Sequence, residues 1–274
     1  MNFRAIGAIV RKDLKVVSQN KGVMIPLIIV PVVMLILLPG LVALLPPLQN
    51  VPGFDREIQD LTDLLDQMPP ALQAELVGYT ELQRIVVLTI VYMLAPMYLM
   101  VPLMVASVIA ADSFAGEKER GTLEALVYTP TTDQELFLAK LLSAWLPAMA
   151  VALVGFVLYS VTANLAAWPT MGQLFFPNAM WVVLVVWVSP AVAGLGLSTM
   201  VLVSSRAQGF QDAYQIGGVV VLPMLLLVIG QATGVMYFSL GLVVLLGLVL
   251  WMIDLVLIWL GGRTFQRDTI LARL

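Results

Sequence analysis

Four stretches of the chain, residues 22–54, 85–111, 141–205 and 213–253, contain no Asp, Glu, Lys or Arg. Each exceeds the roughly 20 apolar residues that carry a helix across a hydrocarbon core of roughly 30 Å. With 61% hydrophobic and 11% charged residues and a mean hydropathy of +0.98, the chain reads as an all-α, polytopic membrane protein. The third stretch is long enough for two helices, and Trp168-Pro-Thr-Met-Gly-Gln with Pro177-Asn178 supplies the turn between them. The fourth, carried on to Gly262, divides at Gly230-Gln-Ala-Thr-Gly234. Spans are therefore predicted near 23–45, 85–110, 141–163, 179–203, 213–231 and 237–260, with both termini on one side. The polar stretches between them leave room for one membrane domain over 1–274 and no sizeable soluble domain.

Orientation follows from lysine and arginine. With both termini cytosolic, twelve of the fourteen basic residues lie inside and only Arg56 and Arg84 lie outside. The first outer loop, 46–83, is acidic, and Ile58, Leu61, Leu65 and Met68 alternate there at helical spacing with Asp55, Asp60, Asp63 and Asp66. Pro69-Pro70 ends that helix and begins another, so two short outer helices are expected, covering span ends or capping an exit path. The first charges run on to Lys21 with no small-residue cleavage site, so the first span is expected to be retained rather than removed as a signal peptide.

Residues 1–20 are predicted to form an amphipathic interfacial helix. Phe3, Ile6, Val10, Leu14 and Val17 fall on one stripe, and Arg4, Arg11, Lys12 and Lys15 on the opposite face. Such a helix touches anionic lipid on the inner surface and can also pack against a partner. Prolines inside the spans predict kinks, and Gly194 with Ser198 allows close helix approach. Asp254 is the only ionisable residue well inside a span. An ion relay would call for further acids or histidines, so a hydrogen bond to a neighbouring helix or to an inner-leaflet arginine is the expected role.

Enzymatic readings lack parts. With no His and no Cys, imidazole bases, thiol nucleophiles and the usual zinc sites are unavailable. There is no Gly-Lys-Ser/Thr sequence, hence no P-loop. No metal or nucleic-acid site is expected.

The densest mixed charge runs from Asp112 to Pro130, inside a cytosolic segment spanning 112–140. Gly116 and Gly121 are expected to reverse the chain and bound a short surface helix, with Leu123 and Leu126 on one side and Thr129-Pro130 as its stop. Thr132-Asp-Gln-Glu135 has the spacing of a capping box for the next helix.

At these residues the chain resembles the membrane subunits of ABC-2-type (type V) ATP-binding-cassette exporters. The resemblance is carried by Gly116-Glu-Lys-Glu-Arg-Gly-Thr-Leu-Glu124, Thr129-Pro130 and Glu135-Leu-Phe-Leu-Ala-Lys140, with Ala139 where the family pattern has glycine. It implies an export permease in the plasma membrane that pairs with a second copy or a close homologue. It further implies two bound ATPase subunits carrying ATP and Mg, with no cofactor on this chain itself. Glu117, Lys118, Glu119, Arg120, Gly121, Thr122, Leu123 and Glu124 would form the coupling helix. The competing readings are an ion-gradient-driven secondary transporter or channel and a membrane protein that moves nothing. The apolar spans slightly favour a lipid-like or amphipathic cargo.

Overall fold

The computed structural model describes residues 2–44, 55–122, 131–207 and 209–264, and these form helices with no strand among them. Helix α1 (Phe3–Gln19) is followed by six helices long and apolar enough to cross a membrane: α2 (Lys21–Ala43), α5 (Glu81–Glu119), α6 (Asp133–Met171), α7 (Ala179–Ser204), α8 (Phe210–Ala232) and α9 (Leu240–Arg263). Between α2 and α5 lie the two short helices α3 (Asp55–Asp66) and α4 (Pro70–Glu75). All six spans were anticipated, but α5 and α6 run well past the bilayer-length segments expected for them.

Burial sorts the spans. The most apolar stretches of α5 and α7 are 78% buried against 22–33% for the other four, so these two form the centre and the rest present apolar surface outward. Gly196 explains how closely the central pair packs. A Cβ there would lie 2.7 Å from the Leu103 carbonyl oxygen and from Ser107 Oγ of α5. Trp181 of α7 is fully buried, donates from Nε1 to the Val91 carbonyl (2.7 Å), and packs edge-on against Tyr98, with ring centroids 5.2 Å apart.

Pro26, Pro31, Pro102, Pro147 and Pro169 lie within α-helix, whereas three other prolines follow a change of helical pitch. Widened π-helical turns at Val33–Leu37, Leu88–Met93 and Leu184–Val188 each end just before Pro39, Pro96 or Pro190. Such a turn relieves the clash between a proline ring and the carbonyl four residues back. A fourth, Asp112–Gly116, precedes no proline and lies instead in the charged segment.

At the end of the bundle away from α1, Pro70 opens α4, as expected. Leu65 and Met68 are buried while Asp60, Asp63 and Asp66 face outward, as their spacing predicted. The Tyr237 hydroxyl donates to the Leu64 carbonyl (2.7 Å), tying α3 to the α8–α9 connection. That connection turns at Gly234, whose φ is +71°, so Gly230 and Gly234 mark a break as anticipated.

The amphipathic helix differs in detail. Its buried face is Ile6, Ile9, Asp13 and Val17, while Phe3 is 75% exposed and Val10 and Leu14 are half-buried. The single predicted stripe is thus divided between a face packed on the spans and an uncovered apolar flank. Arg4, Arg11 and Lys15 remain on the outer side. Asn20 forms the elbow: its backbone is extended and its side chain accepts from the Gly22 amide (3.1 Å) to cap α2.

Candidate functional site

Asp112 to Glu119, the first part of the charged segment that stands out in the sequence, form the last turns of α5. Gly116 has φ −66° and continues the helix, so the reversal expected there does not occur. The space it leaves holds an ion pair. A Cβ on Gly116 would meet Asp112 Oδ1 at 2.9 Å and the Arg120 guanidinium at 3.2 Å, and these two groups pair at 2.9 Å. The reversal comes at Gly121, with φ +65°. Thr122 N–H donates to the Glu117 carbonyl (3.0 Å) and Gly121 N–H to the Lys118 carbonyl (3.1 Å), the closing bonds of a left-handed glycine C-cap. Leu123, Glu124 and the expected stop at Thr129-Pro130 lie outside the described residues.

Beneath this cap is a buried charge cluster. Lys140, at the start of α6, is fully buried, and its Nζ donates to the Ser113 carbonyl (2.6 Å), Ser113 Oγ (3.2 Å) and Glu117 Oε2 (2.6 Å). Asp13 of α1 is buried beside it. Its Oδ2 accepts from Ser113 Oγ (3.0 Å) and Ser143 Oγ (3.1 Å) and lies 3.8 Å from Lys140 Nζ. Lys12 closes the set, pairing with Glu117 and lying 3.2 Å from Asp13 Oδ1. Two lysines and two acids balance, so no net charge is buried, which is the condition for tolerating such a cluster. Partial burial alone would lower the Lys12 ammonium, but Glu117 and then Asp13 outweigh it and hold the group above its ordinary value. Lys12 therefore stays cationic.

The remaining charges of the segment reach the connection between α7 and α8. Lys118 Nζ donates to the Ala207 carbonyl (3.2 Å). Glu119 Oε2 accepts from the Phe210 amide (2.9 Å), and so caps α8, whose own N-cap residue Gly209 has no side chain to do so. Within four residues, Glu117 to Arg120, the end of α5 thus grips α1, α6, the start of α8 and its own preceding turn. At the start of α6 the predicted capping box is present: Glu135 N–H donates to Thr132 Oγ1 (3.2 Å), Thr132 N–H to Glu135 Oε2 (3.1 Å), and the Asn2 amide to Glu135 Oε1 (2.6 Å).

Sequence reasoning placed Glu117 on the surface helix that would meet the ATPase; it is buried and paired with Lys12 and Lys140. It missed Asp13, Ser113 and Ser143, and took Lys140 as a cytosolic basic residue ending the run Glu135–Lys140 rather than as a buried cation. A signal existed for Asp13, which occupies the apolar spacing Ile6, Ile9, Asp13, Val17. Lys140 had none, because its partners lie 23 and 127 residues away in the chain.

Asp254 lies elsewhere, between α7 and α9. It is fully buried against Gly194, and neither carboxylate oxygen has a hydrogen-bond partner among the described residues, contrary to the bond expected. Ser198 instead donates to the Gly194 carbonyl (2.7 Å).

A family model described as ABC-2 family transporter protein matches residues 8–258, from within α1 to near the end of α9 and across the whole charged segment. No curated protein and no solved structure matches the chain.

Proposed function

The chain belongs to the ABC-2 family of transporter proteins, and from that membership we propose that it is the permease subunit of an ATP-driven exporter, working as a dimer with two separate ATPase subunits. The family is a membrane transport component and not the ATPase, and its members generally work with ABC ATPase partners. Hydrolysis of ATP with Mg is assigned to those partners, and Lys118 to Glu124 to the contact with them, with Glu117 buried behind that contact as its link to α1 and α6.

The observation that carries this reading is the hub at Glu117–Arg120. A partner pushing on the turn at Gly121 displaces the end of α5, and the ion pairs and caps pass that displacement to α1, α6 and α8 at once. Rigid helices joined by buried polar contacts move together. Arg4, Arg11 and Lys15, exposed on α1 beside the hub, supply a basic surface for lipid phosphate or for the ATPase.

The test is co-purification with the ATPase, read by native mass spectrometry for binding and stoichiometry. Glu119→Gln keeps the cap on α8 while removing charge; combined with Glu124→Lys it is expected to release the ATPase or uncouple hydrolysis from transport. Asp60→Lys with Asp63→Lys on α3 should leave assembly intact. Full ATPase binding and normal transport in the first variant would remove the coupling assignment.

This function places the hub in the cytosol, with both termini. Cysteines at the exposed positions Gln67 and Gln173 are then expected to react with an impermeant reagent in intact cells, and one at exposed Gln211 only after permeabilisation. Ala207, though at the same end as Gln211, is fully buried and would be silent in either topology. Labelling of Gln211→Cys in sealed cells would invert the arrangement.

A further inference from the structure

Helix α9 buries a single seam, Val243, Gly247, Leu250 and Asp254 at the three- and four-residue spacing of a packed helix and Gly261 two turns further on, and turns most of its other side chains outward. The seam faces α7. Trp187 of α7 fits over Gly247 and donates from Nε1 to the Val244 carbonyl (3.2 Å), while Trp251 Nε1 donates to the Trp187 carbonyl (3.2 Å). Further along, a Cβ at Gly194 of α7 would collide with the Asp254 carboxyl group. An acid therefore occupies the centre of an otherwise apolar contact, with neither oxygen hydrogen-bonded to any described residue.

Among the described residues no countercharge faces it. Between Ala179 and Ser204, α7 carries no titratable side chain. On α9 the nearest charged residue is Arg263, nine positions on, whose guanidinium lies 3.6 Å from the Trp259 ring. Helix α6 reaches the seam's far end, where Phe137 approaches Gly261 and Gly262; its charges there are Asp133, Glu135 and Lys140. Glu135 is held by Thr132 and Asn2, and Lys140 by Glu117. An unpaired carboxylate enclosed in this way is disfavoured far more strongly than the neutral acid.

We propose that Asp254 is a proton-binding site that latches α7 to α9: the packed seam holds the neutral acid, and the proton leaves to water only when the two helices part. Separation of α7 and α9 during transport then releases one proton per chain, and their closure takes it up. Bond formation and breakage are confined to the carboxyl O–H, with water as the acceptor.

The test compares the wild-type chain with Asp254→Asn, a neutral isostere, in lipid nanodiscs between about pH 5 and 8, because the difference between them cancels every other titrating group. The folded state keeps a proton that the unfolded state loses, so wild-type stability relative to Asp254→Asn should fall with rising pH. The folded-to-unfolded ratio is expected to drop by about tenfold per pH unit while only the unfolded chain is ionised. A difference independent of pH would overturn the proposal, since Asp254 would then carry the same charge in both states. Independently of any variant, the wild-type infrared spectrum at pH 7 should show the C=O stretch of one protonated carboxyl, and its absence would be equally fatal. That reading decides the matter if Asp254→Asn does not fold.

Discussion

Lys140→Met is expected to cost about 3–5 kcal/mol, because it leaves buried acids without their shared cation. Glu117 would lose its bond to Lys140 and keep only Lys12, while Asp13 would retain two hydroxyl donors but lose the nearby positive charge. The first consequence should be local. Helix α1 is held to α5 and α6 by this cluster and by the small apolar contact of Ile6 and Ile9 with Leu136 and Ala139. Limited proteolysis in nanodiscs should therefore cut within residues 1–20 of the variant faster than in the wild type, while the six spans stay protected. Lys140→Met combined with Glu117→Gln should recover part of the loss, since removing both signs avoids a stranded charge. A thermal midpoint for Lys140→Met equal to that of the wild type would show that the cluster contributes nothing to holding α1. In a functional complex the same variant should bind the ATPase yet transmit its movement poorly, separating attachment from transmission.

Gly196→Val is the second change with a large expected effect. The closest obstacle to a new Cβ is a backbone carbonyl, that of Leu103, and this cannot swing aside as a side-chain end can. Helices α5 and α7 must separate along their most extensively packed contact, a distortion that typically costs about 1–3 kcal/mol or more. Gly241→Ala is the matched control. Nothing lies within 4 Å of a Cβ there, so the substitution should be neutral or should add up to about 1 kcal/mol through helix propensity. Equal thermal stability for the two variants would contradict the close approach of α5 and α7.

Both effects depend on contacts that differ in how far they can be read from the chain. The six spans, the break at Gly230–Gly234, the capping box at Thr132–Glu135 and the α3–α4 boundary at Pro69-Pro70 were legible because each rests on residues within a few positions of one another. Hydropathy, caps and proline sterics act locally, and a linear pattern records them in full. Gly121 was legible for the same reason, since a helix end needs a residue that tolerates positive φ wherever the bundle lies. Gly116 was misread because glycine has two uses. It can turn the chain, or it can make room, and only the Asp112–Arg120 pair packed over it shows that this one makes room.

The sequence by itself therefore determined that the chain is a helical membrane protein with a charged segment at the end of its second span, since lipid imposes length and polarity on each helix separately. Tertiary structure alone decided which charges meet. Asp13 and Lys140 are separated by 127 residues and become neighbours only when α1 folds back on α6, and Asp254 has no hydrogen-bond partner among the described residues because α7 places Gly194 and no donor against it. Electrostatic pairing depends on distance in space and on the exclusion of water, and neither is a property of a residue's position along the chain.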